Sequence, residues 1–201
     1  MIKAIPTELK NNAEFCLWKY EQRNGVTTKV PYQVNGRKAR SNDIGCFADY
    51  ETVCTVAEKY DGIGMGVFNG FSAIDIDHCV TDGSISNFAM DVIGFMLSYT
   101  EFSPSGTGIR IIFKVDDVPF DKSKYYINNR NIGMEVYIAG ATNKFVTVTG
   151  RQVFDYEICV CNDEIAQVLE KYMLRHNAKS NTHNAYRSVL SDEEVLEKAL
   201  N

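Results

Sequence analysis

Two aspartates, Asp75 and Asp77, stand two positions apart in a short apolar segment of the chain. Side chains of a β-strand alternate between its two faces, so a strand here would bury Ile74 and Ile76 and place both carboxylates on the opposite face. The two Cα atoms would then lie about 6–7 Å apart. Carboxylates at that spacing can converge on one or two hard divalent cations, as in two-metal phosphoryl-transfer sites. The alternative is a strand end with two solvated acids.

A third carboxylate, Glu135, lies in another alternating segment, in which Met134, Val136 and Ile138 share the opposite face. If that strand adjoins the strand of the two aspartates, Glu135 supplies a third oxygen ligand. Three carboxylates favour Mg²⁺ or Mn²⁺ over zinc. The alternative is that Glu135 is an ordinary exposed residue of its strand.

The segment 103–113 combines a glycine-rich turn with the start of an apolar strand. Gly106 and Gly108 permit a tight turn whose backbone N–H groups can surround an anion, and Ser105 adds a hydroxyl donor. Arg110 opens the strand and offers a planar fork for phosphate. The Gly-Lys-Ser/Thr signature of a Walker loop is absent. The alternative is a glycine-rich turn followed by an incidental arginine.

In their order along the chain, the aspartate pair, the glycine turn and the third carboxylate resemble the three motifs of the archaeo-eukaryotic primase superfamily. The resemblance is closest to the N-terminal primase-polymerase (prim-pol) domain of phage and plasmid replication proteins, and it covers roughly residues 1–175. The segments that carry it are 73–79, 103–110, 133–137 with 144–150, and the leader segments 15–20, 29–32 and 39–43.

The resemblance implies an enzyme that performs template-directed nucleotidyl transfer, as a DNA primase, a DNA polymerase or both. Asp75, Asp77 and Glu135 would be catalytic and hold two Mg²⁺ or Mn²⁺ ions, one at the attacking hydroxyl and one at the leaving pyrophosphate. The residues expected to bind the incoming NTP or dNTP are Ser105, Gly106, Gly108, Arg110, Lys144 and His78. Single-stranded DNA and a downstream helicase module would be the partners.

One position departs from the family pattern. The second motif usually ends in a histidine that contacts the nucleotide phosphates, and Arg110 takes that position here. An arginine can bind phosphate but cannot change its protonation state near neutral pH. The departure favours a second hypothesis, a catalytically inert primase fold that binds single-stranded DNA or a replication partner. A third, a metal-dependent nuclease, would share the carboxylates but would not need a triphosphate loop.

Charge is distributed unevenly along the chain, whose net charge is −5. Residues 1–40 carry eight basic and three acidic side chains, whereas residues 41–99 carry one basic and nine acidic. A basic stretch can form a nucleic-acid face on a protein that is acidic overall. The residues expected to contact nucleic-acid phosphates or bases are Lys29, Arg37, Lys38, Arg40, Trp18, Tyr20 and Tyr32. The alternative is a solvated hairpin with an aromatic core side.

The elements that must position these residues follow from hydrophobic periodicity. Asn24-Gly25 predicts a hairpin, and Pro31 assigns its second strand to a sheet edge. Helices are predicted at 47–60, 84–99 and 162–175, and strands at 15–20, 28–33, 62–68, 72–77, 109–115, 134–138 and 144–149. The last two strands are predicted to form another hairpin.

The predicted fold class is α+β, a primase fold with an RRM-like antiparallel sheet. One face of the sheet would carry the carboxylates, and helices at 84–99 and 162–175 would cover the other. Residues 1–175 would form the primase-polymerase domain, with a small basic α/β unit at 1–60 and a catalytic unit at 61–175. The polar linker and short amphipathic helix predicted in residues 176–201 suggest the start of a further region.

Composition excludes several classes of protein. Hydrophobic residues make up 45% and charged residues 23% of the chain, as in ordinary globular proteins. No segment approaches the roughly 18 apolar residues of a membrane span. With no export signal, the six cysteines indicate reduced thiols in the cytoplasm of a bacterial host cell. A zinc site is conceivable, although its spacings match no known template; its ligands would be His78, Cys79, Cys159 and Cys161.

Overall fold

The computed structural model describes residues 5–116, 120–142 and 144–175, so the predicted linker and terminal helix at 176–201 lie outside the described residues. The helices are α1 (Thr7–Asn12), α2 (Tyr50–Cys54), α3 (Asn87–Met96) and α4 (Asn162–Val168), the last continued by a π-helical turn at Leu169–Met173. The strands are β1 (Phe15–Arg23), β2 (Val26–Tyr32), β3 (Gly62–Gly66), β4 (Phe71–Ile76), β5 (Val80–Thr81), β6 (Ser84–Ile85), β7 (Thr100–Phe102), β8 (Ile109–Lys114), β9 (Asn128–Asn129), β10 (Met134–Tyr137), β11 (Phe145–Val148) and β12 (Gln152–Phe154).

The longer strands form two antiparallel sheets. The first has the order β11-β3-β1-β2 and the second the order β12-β7-β8-β4-β10-β9, while β5 and β6 pair with each other. Antiparallel sheets combined with short helices confirm the α+β class. The finer assignment, an RRM-like sheet within a primase fold, stays a prediction.

The second sheet has one helical face, as the sequence predicts. Its strands point Ile74, Ile111 and Val136 into a core that α3 and α4 complete with Val92 and Ile165. Because strand side chains alternate, the neighbouring residues of β4, β8 and β10 project from the opposite face, toward the core of the first sheet. The candidate site residues Asp75, Arg110 and Glu135 lie on that opposite face.

The leader hairpin is confirmed. β2 pairs along its whole length with β1, and the turn between them has Asn24 at φ 50° and Gly25 at φ 78°. A two-residue turn with both residues in the left-handed region matches the twist of the two strands and favours the Asn-Gly pair. β2, which contains Pro31, is the edge strand of the first sheet, as predicted, because proline has no N–H to donate to a further strand.

The predicted helix at 47–60 is wrong. Only α2 is α-helical there, flanked by 3₁₀ turns at Ile44–Cys46 and Ala57–Lys59. Asp49 caps α2 by accepting from the Thr52 amide at 2.8 Å. The helix ends at Cys54, and the β-branched residues Thr55 and Val56 follow it. A helix restricts the rotamers of β-branched side chains, which makes such residues weaker helix formers.

The helix predicted at 84–99 is confirmed with narrower bounds. Ser86 caps it by accepting from the Ala89 amide, and residues 84–85 form β6 instead. The helix ends because Leu97 adopts a left-handed conformation at φ 42°. Leu97, which the periodicity predicts to be buried, is consequently 51% exposed.

The predicted hairpin between 134–138 and 144–149 is also wrong. Both strands exist, but β10 pairs with β4 in the second sheet and β11 pairs with β3 in the first. Alternation shows which side chains are buried and does not identify the partner strand. The first sheet thus includes strands from beyond residue 60; the division of the domain at that residue stays a prediction.

No helix in the part of the chain that the structure describes is long and apolar enough to cross a membrane.

Candidate active site

Four charged residues form one row across the second sheet. Glu135 on β10 lies opposite Asp75 on β4, Asp75 lies opposite Arg110 on β8, and Arg110 lies opposite Glu101 on β7. Opposed residues of antiparallel strands project from the same face. The order of charged groups along the row is therefore carboxylate, carboxylate, guanidinium, carboxylate. The condition set by the sequence, that the strand of Glu135 adjoins the strand of Asp75, is met.

The centre of the row is a buried ion pair. Arg110 Nη2 donates to Asp75 Oδ2 at 2.7 Å, and the arginine side chain is only 2% exposed. Arg110 Nη1 donates to the backbone oxygen of Thr147 at 2.5 Å, so the guanidinium joins β8 of the second sheet to β11 of the first. The guanidinium of Arg110 is therefore bound by Asp75 and Thr147 within the protein. Its predicted contact with a nucleotide phosphate stays a prediction.

The carboxylates near the row repel one another. Glu135 is half-buried and accepts from the amide of Asn128. Burial and the nearby Asp75 raise the pKa of Glu135 above its ordinary value, against the opposing effect of Lys144. Desolvation and Asp75 likewise raise the pKa of Asp77. Excess negative charge at this place favours the binding of a cation.

Asp77 lies just beyond the end of β4. Its backbone amide donates to the Gly133 oxygen at 2.8 Å, while its side chain lies at the surface. The next residue, His78, is exposed and left-handed at φ 53°. The predicted metal ligands thus comprise an opposed pair, Asp75 and Glu135, and a third carboxylate at the strand end.

One oxygen of Asp75 has no partner among the described residues. Among residues 5–116, 120–142 and 144–175, no three His, Cys, Asp or Glu side chains form a ready-made metal site, which also leaves the zinc alternative without support. Asp75 Oδ2 is bound to Arg110, but Asp75 Oδ1 is buried and has no hydrogen-bond partner. An unpartnered buried carboxylate oxygen is costly unless a cation or another donor reaches it. Mg²⁺ and Mn²⁺ suit this all-carboxylate donor set.

The glycine loop packs against the end of β4. A Cβ on Gly108 would lie 2.6 Å from the Ile76 oxygen and 3.4 Å from the Asp77 Cα, so only glycine permits this approach. The Gly106 and Gly108 amides donate to the backbone oxygen and the hydroxyl of Ser103 at 2.9 and 3.1 Å. Their predicted contact with a triphosphate would require the loop to open.

Ser105 and Thr107 are the exposed residues of this loop. The Ser105 hydroxyl lies 3.1 Å from the Ser103 hydroxyl and 2.9 Å from the Thr107 hydroxyl. Arg151 reaches the same loop and donates to the backbone oxygen of Ser103. Neither the predicted nucleotide contact of Ser105 nor that of His78 is tested by this geometry, and both stay predictions.

A cleft of about 340 Å³ opens over the carboxylate end of the row. Asp75, Glu135 and Arg110 line one side, and the leader hairpin lines the other with Tyr20 and Lys29. Partial burial and the nearby Arg110 lower the pKa of Lys29. The predicted basic leader is thereby brought to the predicted carboxylates, although the two are about 45 residues apart in sequence.

A second cleft of about 520 Å³ shares Lys29 with the first. No acidic residue lines it, whereas five cationic residues do, namely Arg23, Lys29, Lys38, Arg40 and Lys144. Glu21 pairs with Lys38 at 2.7 Å, and Asp43 pairs with Arg40 at 2.5 Å. Within the described residues, Lys29 and Lys144 have no ion-pair partner. This second cleft is hereafter the basic cleft.

The predicted stacking residues differ in their availability. Trp18 is 3% exposed, and its indole nitrogen donates to the Ile63 oxygen. Tyr32 donates to Glu21 and packs against Tyr60 with ring centroids 5.6 Å apart. Tyr20 is 47% exposed and lines the carboxylate cleft, so it is the best placed of the three.

Arg37 was predicted to contact nucleic acid but lies away from both clefts, whereas Glu101 was not predicted and lies in the row. Arg37 is exposed in the turn after β2 and lines neither cleft. Glu101, which the sequence argument missed, is fully buried in the row and accepts from the Tyr99 hydroxyl and the Gly150 amide at 3.0 and 2.9 Å. Its one signal in the sequence is an acid within an otherwise uncharged strand.

Comparison with known proteins identifies a phage relative. No family model matches the chain. A curated protein of Nitratiruptor phage NrS-1, described as a DNA primase-polymerase, is 31% identical over an alignment of 166 residues that covers 77% of this chain. The matched region spans 22% of that relative's length. The match confirms the resemblance found in the sequence: this chain is a relative of the phage primase-polymerases.

Proposed function

We propose that this chain carries the nucleotidyl-transfer site of a phage replication enzyme that synthesises or extends primers on single-stranded DNA. The observation that supports this most is the opposed pair Asp75 and Glu135 beside a cleft that five cations line. The name of the phage relative supports a DNA template and nucleotides as the substrates. A downstream helicase partner belongs to the same proposal and rests on the sequence resemblance alone.

The reaction joins a terminal 3′-hydroxyl to the α-phosphorus of a nucleoside triphosphate. The new oxygen–phosphorus bond forms as the bond to pyrophosphate breaks, and the hydroxyl loses its proton. Asp75, Asp77 and Glu135 would hold Mg²⁺ or Mn²⁺. The bound metal would supply Lewis acidity at the hydroxyl and the phosphates.

The remaining groups of the two clefts bind and orient the substrates. Lys29 and Lys144, which have no ion-pair partner in the described part of the chain, neutralise phosphate charge next to the carboxylates. Tyr20 offers an exposed ring on which a base can stack. Arg23 and Arg40 extend the positive surface along the basic cleft, in a position to follow a template backbone.

The test is primer synthesis and primer extension on a single-stranded template with Mg²⁺ or Mn²⁺. Asp77→Asn and Glu135→Gln are the informative variants, because neither side chain takes part in the buried ion pair. Each should reduce nucleotide incorporation by at least a hundredfold. Asp82→Asn is the matched control, since Asp82 is exposed in a left-handed turn that asparagine tolerates. Full activity in both site variants would refute the proposal.

One observation favours the second candidate function, an inert domain that binds single-stranded DNA. Arg110 occupies one oxygen of Asp75, which reduces what that carboxylate can offer to metals. Binding of single-stranded DNA by the wild-type chain with no incorporation in Mg²⁺ or Mn²⁺ would support this candidate. Cleavage of DNA without nucleotides would instead support a nuclease.

A further inference from the structure

The guanidinium of Arg110 lies within the row of carboxylates. Across four adjacent strands the register places Glu135, Asp75, Arg110 and Glu101 side by side, so the arginine has a carboxylate on each flank. Its charge is permanent at any pH at which a protein functions. The row therefore contains one fixed positive charge before any metal binds.

Both sheets hold this guanidinium in place. Nη2 bonds to Asp75 Oδ2 at 2.7 Å, Nη1 bonds to the Thr147 oxygen at 2.5 Å, and the side chain is 2% exposed. Arg110 Nε is buried and has no partner in the described residues. Turning this side chain out to a ligand would leave Asp75 buried without its countercharge, which is strongly unfavourable.

The position of Arg110 limits the number of cations that Asp75 can bind. A carboxylate that bridges two cations uses one oxygen for each of them. Here Oδ2 already bonds to the guanidinium, and Oδ1 is the buried oxygen without a partner. We infer that Arg110 stands where the second cation would bind, so that the site takes up one divalent ion, at Asp75 Oδ1.

The inference rests on the proposed function, since it assumes that these carboxylates bind the metal of the reaction. The inference gives Arg110 and the metal ion different roles. Arg110 supplies a fixed positive charge at the centre of the row and keeps Asp75 in its orientation. Unlike a metal ion, a guanidinium cannot act as a Lewis acid toward a hydroxyl. Arg110 is thus a positioning residue, and any ionisation of a hydroxyl must occur on the Oδ1 side of Asp75.

The test counts Mn²⁺ ions bound by the 201-residue chain, using isothermal titration calorimetry and the electron paramagnetic resonance of bound Mn²⁺. We expect one ion per wild-type chain and no spin coupling between ions. Arg110→Met should raise the count to two and produce a coupled spectrum. Lys171→Met, which breaks a surface ion pair with Asp91 away from both clefts, is the matched control and should leave the count at one.

Two ions per wild-type chain, or none, would overturn the inference, and so would a folded Arg110→Met variant that still binds one. If that variant does not fold, the wild-type count and spectrum decide alone. The outcomes separate this inference from the proposed function. Incorporation of nucleotides with two bound ions would refute the inference only, whereas one bound ion without incorporation would refute the function only.

Discussion

Glu135 lies directly opposite Asp75 on the neighbouring antiparallel strand. Like charges at opposed positions destabilise a sheet, and burial adds to the cost of keeping both ionised. The structure tolerates this arrangement with one amide donor to Glu135 and one guanidinium bound to Asp75. Such a pair is typical of a site that reserves negative charge for a cation, at the expense of the stability of the protein itself.

The opposed carboxylates of Asp75 and Glu135 predict how the stability of the protein depends on pH in the presence of a chelator. Because the folded-state pKa of Glu135 is raised, the folded protein binds more protons than the unfolded chain between the two pKa values. The free energy of unfolding should therefore fall as the pH rises from the ordinary carboxyl pKa through the raised one. Denaturant titrations across acidic and neutral pH measure this slope.

Glu135→Gln is the control for that slope, because it removes the titrating group and keeps a similar shape. The variant should lose the part of the decline that Glu135 contributes, while Asp77, whose pKa is also raised, keeps a smaller decline, and it should be more stable than the wild type at neutral pH. Saturating Mn²⁺ should also flatten the decline in the wild type, since a bound cation stabilises the ionised carboxylates. A wild-type stability that rises with pH over this range would contradict the prediction.

The basic cleft predicts a salt-dependent affinity for single-stranded DNA. Lys29→Gln and Lys144→Gln should each weaken binding and reduce the slope of log K against log salt by about 0.7, because each removes one phosphate contact. Fluorescence anisotropy with a labelled oligonucleotide at several salt concentrations measures both quantities. Lys59→Gln, at an exposed position outside the two clefts, should leave the slope unchanged.

Tyr20 is expected to be a stacking residue. Loss of a base–aromatic stack usually costs about 1–3 kcal/mol, so Tyr20→Ala should weaken binding of single-stranded DNA or nucleotide by roughly five- to 150-fold. Tyr20→Phe should bind normally, because the ring is retained. Tyr126→Ala, at a partly buried ring outside the clefts, tests for a general loss of structure. Equal affinity of Tyr20→Ala and wild type would remove Tyr20 from the site.

The sequence predicted the parts of the site that depend on local order. Alternation around Asp75 and Glu135 identified their strands and their shared face, and Asn24-Gly25 identified the hairpin that brings Lys29 to the cleft. These features follow from neighbouring residues only. The motif around Arg110 was also recognised as the start of a buried strand, as the structure shows.

The sequence could not predict the partners of those residues. The bond between Arg110 and Asp75 depends on the register of β4 and β8, and that with Thr147 depends on how two sheets pack. The wrong hairpin between 134–138 and 144–149 has the same origin, because pairing between distant strands leaves little trace in local periodicity. Glu101 was not predicted because it becomes part of the row of charges only through its position opposite Arg110, on a neighbouring strand.

Gly108 predicts a strong dependence of the site on the glycine loop. A methyl group at this position would lie 2.6 Å from the Ile76 oxygen, a backbone atom that cannot move without shifting the end of β4 and Asp77. Gly108→Ala should therefore lower the free energy of unfolding by about 1–3 kcal/mol. It should also reduce metal affinity and nucleotide incorporation.

Gly94→Ala is the matched control, because a Cβ at Gly94 in α3 meets nothing within 4 Å. Alanine is the better helix former, so this variant should be more stable than the wild type by about 0.5–1 kcal/mol with unchanged incorporation. Denaturant unfolding and primer extension on the two variants compare the positions directly. If Gly108→Ala were as stable and as active as the wild type, the loop would not position Asp77, and the carboxylate at the strand end would have to be held by β4 alone.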